Sequence, residues 1–173
     1  MKDKIPYYEF VNMFFPGATF SLLMFALLFE KIYTYSLFNE ILAFCKDWSV
    51  IIGSVALIMM YEVGFVLNRL GAITVGYFLE KTKIWPRGKY SANVSKLEKE
   101  NPKFRKMNIE LHVARTHVAM YIVLAIVATI LGRFIVAGVF CGIATVFVIG
   151  GCRTNAFMNA INENNSADEA PRK

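Results

Sequence analysis

Four long apolar runs constrain this chain more than any other feature. The first extends from about Phe10 to Phe29 and ends at Glu30-Lys31. The second starts near Ser49 and stays apolar to about Leu67, the third covers Val118 to Leu131, and the fourth Phe134 to Ile149. A helix that crosses the hydrocarbon of a bilayer needs roughly 20 such residues. The first two runs meet that length and the last two fall short of it. Composition agrees with a membrane chain: 56% of the residues are hydrophobic and the mean hydropathy is +0.45, against roughly 45–50% apolar in soluble domains. The 15 Phe and 8 Tyr suit helices whose ends rest at a lipid interface.

The two short runs are separated only by Gly132-Arg133. As one helix, Val118 to Ile149 is too long for a single bilayer. The reading is a tight helical hairpin, with Gly132 ending one helix and Arg133 at the turn. To span fully, the third helix must begin near Leu111 or His112, which draws His112, Arg115 and His117 toward the inner leaflet. A re-entrant hairpin that fails to cross is the competing geometry. At the N-terminus, Lys2 and Lys4 precede an apolar run as in a signal peptide. Asp3 and Glu9 dilute that charge, Pro16-Gly17 interrupts early, and no small-x-small site follows Leu28, so a retained first helix is expected.

Charge sets the expected orientation. The formal net charge is +6. Lys31 and Lys46 lie between the first two runs and Arg133 alone between the last two, whereas Arg69, Lys81, Lys83, Arg87, Lys89, Lys96, Lys99, Lys103, Arg105, Lys106 and Arg115 crowd the middle connection. The positive-inside rule places that connection and both termini in the cytoplasm. Four crossings also require both termini on one side.

The basic connection reads as helical in part. Leu70 to Leu79 is largely apolar and prolongs the second helix toward Glu80 or Lys81, before Ile84-Trp85-Pro86-Arg87-Gly88 breaks it. Trp85 suits an interfacial position. Ser91 to Glu100 is polar with room for a short helix. Asn101-Pro102 supplies an N-cap and a first-position proline, so one rod is expected from there to Gly132. The chain therefore divides into residues 1–67 with two transmembrane helices, a basic cytoplasmic helical region over 68–110, a transmembrane hairpin over 111–161, and a tail over 162–173 whose composition predicts disorder. The expected fold class is all-α: an integral membrane bundle of about four transmembrane helices with a helical cytoplasmic extension.

Three constellations carry candidate chemistry. Glu62 lies inside the second apolar run, and Asn68 and Arg69 follow near its inner boundary. Glu62 and Arg69 are seven residues apart and share a helix face. A carboxylate in hydrocarbon must be paired, hydrogen-bonded or facing water, so Glu62 is either a pore-lining group or a bridge to a neighbouring helix. Gly138, Gly142 and Gly150 form a small-residue stripe in the last run, and Gly64 and Gly71 form another in the second. Both suit close helix packing within one chain or between copies. Arg105 and His112 share a face at seven-residue spacing. Such a pair has the elements of RNA cleavage, Arg on phosphate and His as acid or base, or of an interfacial Arg and a hydrogen-bonded His. Cys45, Cys141 and Cys152 form no CxxC pair and have no nearby His, which excludes a metal or disulfide framework legible from spacing. No P-loop, dinucleotide fingerprint, GxSxG elbow or HExxH site is present, and no cofactor is implied.

Together these features resemble the membrane accessory proteins of type VI-B CRISPR systems. The resemblance runs from Pro16-Gly17 through Tyr61-Glu62-Val63-Gly64 to Arg105 and His112. It implies a ring-shaped homo-oligomer in the bacterial inner membrane, forming a pore that strengthens antiviral defence beside an RNA-guided ribonuclease. The Arg105–His112 pair is similar to the HEPN ribonuclease motif, although Lys106 follows the Arg where that motif usually has Asn, His or another polar group. That departure favours a non-enzymatic effector over a membrane-tethered RNA-cleaving enzyme. A scaffold that only recruits the nuclease is a third class. In the favoured reading the basic region receives the signal or lines a vestibule whose positive field favours anions. Direct nucleic-acid binding by it is not implied.

Overall fold

The structure is a computed structural model. It describes residues 7–32, 43, 46, 49–82, 94, 97–98 and 101–168, with side chains for all of these except 7–11, 29–32 and 163–168. Every long element is a helix: α1 (Tyr7–Ile32), α2 (Ser49–Leu70), a π-helical turn (Gly71–Gly76) leading directly into α3 (Tyr77–Lys81), α4 (Pro102–Ile130) and α5 (Phe134–Asp168). The all-α bundle expected from the apolar runs is the observed architecture. Three helical stretches, Ser49–Lys81, Pro102–Ile130 and Phe134–Asn162, are long and apolar enough to cross a membrane, and Asn12–Leu28 is a shorter apolar helix.

Local chemistry sets the element ends. Asn101 has extended backbone angles, and its side chain accepts hydrogen bonds from Lys103 N at 3.0 Å and Phe104 N at 3.3 Å. With Pro102 at the first helical position, this is the predicted start of α4. At the other end Gly132 takes φ 76°. Its N–H donates to the Thr129 carbonyl at 2.9 Å, and the Arg133 N–H donates to Ala128 O at 2.8 Å. This is a Schellman closure, and glycine is the residue that adopts its left-handed angle without strain. The predicted hairpin between α4 and α5 therefore forms at the predicted turn.

α1 packs on α2, α4 packs on α5, and α4 joins the two pairs by contacting α1, α2 and the π turn. α1 and α2 approach with almost no side chain between them. A Cβ on Gly17 would overlap the Met60 carbonyl, and one on Gly64 would overlap the Met13 carbonyl. Seven residues on, a Cβ on Gly71 would lie 2.8 Å from the Arg115 carbonyl of α4. Gly64 and Gly71 thus serve two different helix contacts from one stripe.

Two cores stack along the axis. One gathers Leu27, Leu67, Met120, Leu124, Ala128 and Phe140. The other lies toward the basic end and gathers Val75, Leu79, Leu97, Phe104, Leu111 and Met158. Both are needed because the helices outrun the bilayer. α4 has 29 residues and α5 has 35, which at 1.5 Å per residue is about 43 and 52 Å against roughly 30 Å of hydrocarbon. The described parts of the basic region, residues 71–81 after α2 and 102–110 of α4, thus continue the helices that form the spans. The Asn108 side chain donates to Glu98 at 2.7 Å and ties that residue to α4.

Of the tail whose composition predicts disorder, residues 162–168 continue α5 and Asn162 is buried, while residues 169–173 lie outside the described residues. Helix propagation past the docked Met158 and Ile161 adds a hydrogen bond per residue, and that outweighs the polar composition. Cys45, Trp85 and the Pro86-Gly88 breaker lie outside the described residues.

Candidate functional site

α2 is the least covered of the three long helices, with 11% of its apolar window buried. Its bare face carries Val55, Met59, Glu62, Val66 and Arg69 and continues to Ile73 of the π turn, all exposed. Glu62 and Arg69 share this face as their spacing predicts. They form no ion pair; the Arg69 guanidinium lies over the Phe65 ring at 5.1 Å instead. Among the described residues nothing pairs with the Glu62 carboxylate. Arg69 is two residues from Gly71, whose contact with Arg115 sets both arginines at one level. From that level Glu62 is seven residues, about 10 Å, toward the α4–α5 turn, and thirteen residues, about 20 Å, from Ser49. In a bilayer crossed by these candidate spans, both distances fall inside the hydrocarbon.

Asn68 faces the opposite way, into the bundle. Thr116 Oγ donates to Asn68 Oδ1 at 3.1 Å and lies 3.0 Å from the His112 carbonyl. One hydroxyl proton serves one acceptor at a time. With the Asn68 amide turned over, its Nδ2 donates to Thr116 while Thr116 keeps the His112 bond, so both contacts are satisfied. Asn68 is therefore a bridge between α2 and α4 rather than a group on the open face.

The small-residue stripe of α5 is bare. A Cβ added to Gly138, Gly142 or Gly150 would meet nothing within 4 Å. Among the described residues nothing packs on these positions, unlike Gly17, Gly64 and Gly71. Cys141, on the same stretch, is also exposed.

Arg105 and His112 are both exposed on α4, but the structure does not bring them to one cavity. Arg105 lines a groove of about 750 Å³ between α4 and α5, bordered by Asn12 of α1, and His112 is not among its lining residues. His117 sits deeper in the α4–α5 seam. Its Nδ1 donates to the Val113 carbonyl at 2.8 Å, and its ring stacks on Phe147 with centroids 4.6 Å apart. That is a packed, hydrogen-bonded histidine. Among the described residues no group of three or more His, Cys, Asp or Glu is placed to hold a metal ion.

Sequence reasoning missed the groove. Its signal is the Gly150-Gly151 doublet on α5, which does not read as a cavity until α4 is laid alongside. Compared with known protein families, curated proteins and solved structures, the sequence finds no match.

Proposed function

We propose that this chain is one subunit of a homo-oligomeric membrane pore, in which the bare face of α2 lines a path shared between copies. The observation that carries this reading is Glu62: an exposed carboxylate at hydrocarbon depth, with no partner among the described residues. An isolated subunit would present it to lipid tails, at a cost of several kcal/mol. A ring of copies turns the same face toward water. Gly138 and Gly142 of the bare α5 stripe supply a second unpartnered face for contact between neighbours. Faces on different helices suit a head-to-tail arrangement, which closes into a ring when the rotation permits.

In this reading the protein lies in a bacterial inner membrane. The Lys- and Arg-rich end and both termini are cytoplasmic, in keeping with the positive-inside rule. The resemblance to accessory proteins of type VI-B CRISPR systems supplies the setting: an envelope-perturbing effector that strengthens antiphage defence beside an RNA-guided ribonuclease. Separation of His112 from the groove that holds Arg105 weighs against the RNA-cleaving alternative, because a general acid or base must reach the reacting atom.

The test is ion flux through proteoliposomes. The wild-type protein is expected to conduct, with the Glu62 carboxylates drawing cations and the Arg69 guanidiniums on the same face opposing them. Glu62→Gln is expected to keep the oligomer and shift the selectivity toward anions several-fold. Absence of flux with intact reconstitution favours the scaffold reading. Cleavage of added single-stranded RNA that is lost in both Arg105→Ala and His112→Ala favours the enzyme.

A further inference from the structure

The groove between α4 and α5 has two unlike halves. Its deeper half is apolar, walled by Val113, Ala114, Val146 and Phe147, and widened where Gly150 has no side chain. Its outer half carries the cations Arg105 and Lys106. Glu110 also faces this half. Its carboxylate lies 3.9 Å from Lys106 Nζ, so the mouth retains about one net positive charge. Asn12 and Thr154 add neutral polar groups at the rim.

The position of the groove matches the boundary of the membrane. Counting about 20 residues from the Arg133 turn, the hydrocarbon ends near Val113 on α4 and near Arg153 on α5. The apolar half then lies at the depth of acyl chains. Arg105 is eight residues beyond Val113, about 12 Å along the axis, which is headgroup depth. The volume of about 750 Å³ falls in the ordinary range of ligand sites, roughly 300–1,000 Å³. A basic mouth over an apolar slot between transmembrane helices is the chemistry that takes an anionic lipid.

We propose that this groove binds one anionic phospholipid of the adjacent leaflet, with an acyl chain along Val113 and Phe147 and the phosphate at Arg105 and Lys106. The site lies within one subunit and does not depend on pore formation. It assigns Arg105 a membrane role in place of RNA chemistry.

Native mass spectrometry of the full chain, released from mild detergent after exposure to equal phosphatidylglycerol and phosphatidylcholine of matched chains, tests it. The wild type is expected to retain about one phosphatidylglycerol per subunit, preferred about fivefold, the factor for roughly one net charge. The double variant Arg105→Glu/Lys106→Glu is expected to lose that preference. Gly150→Phe, whose Cβ meets nothing within 4 Å and whose ring would occupy the groove, is expected to lose the bound lipid itself while keeping its helical circular dichroism. Glycerol phosphate without acyl chains is expected not to displace the lipid. Equal retention of both lipids by the wild type, unchanged binding in Gly150→Phe, or displacement by glycerol phosphate would each overturn the proposal. If the charge-reversed protein does not fold, Gly150→Phe and the competition decide the matter alone.

Discussion

Gly17 and Gly64 meet backbone to backbone: a Cβ on Gly17 would lie 2.7 Å from Gly64 N, and a Cβ on Gly64 would lie 3.2 Å from Gly17 N. This contact sets the distance between α1 and α2. Gly64→Val must push the helices apart or distort one of them. The expected loss is about 1–3 kcal/mol, the usual range for overpacking a close contact. It is read as a lowered midpoint in thermal unfolding in detergent. Gly53→Val serves as the control, since a Cβ there meets nothing within 4 Å, and is expected to leave the midpoint nearly unchanged.

The Asn68–Thr116 contact joins α2 to α4 across the bundle. A double-mutant cycle with Asn68→Leu and Thr116→Val is expected to give a coupling of about 0.6 kcal/mol, and no more than roughly 1.7, as for other hydrogen bonds between membrane helices. Zero coupling in the unfolding midpoints would show that each residue acts alone.

Much of this arrangement is legible in the sequence, for definite reasons. Asn101-Pro102 and Gly132 mark the ends of α4 because capping and left-handed turns demand particular residues at single positions. Glu62 and Arg69 share a face because helical spacing alone decides it. Other features depend on partners that spacing does not specify. Gly64 and Gly138 look alike in the chain, yet Gly64 is pressed against α1 and Gly138 is bare. The π turn at Gly71–Gly76 has no sequence signature; of its two glycines, Gly71 lies against the Arg115 carbonyl of α4. The groove beside Arg105 is a property of two helices together, so reading either one alone does not find it.

The bare α5 stripe yields a prediction that separates fold from assembly. Gly138→Leu/Gly142→Leu places bulk where the chain itself offers no contact. The folded subunit is expected to keep its helicity and thermal midpoint within about 0.5 kcal/mol, as for substitutions away from packed features. The oligomer is expected to fall apart toward smaller species in chemical cross-linking. Loss of the fold along with the oligomer would mean that the stripe packs within the subunit after all.

The central claim is that Glu62 reaches water because copies of α2 surround a common path. Direct imaging of single particles purified in mild detergent tests it at once. Closed rings with an axial opening and α2 on the inner wall are expected. A uniform population of monomers at every concentration, or rings with α2 turned outward to the detergent, would contradict it.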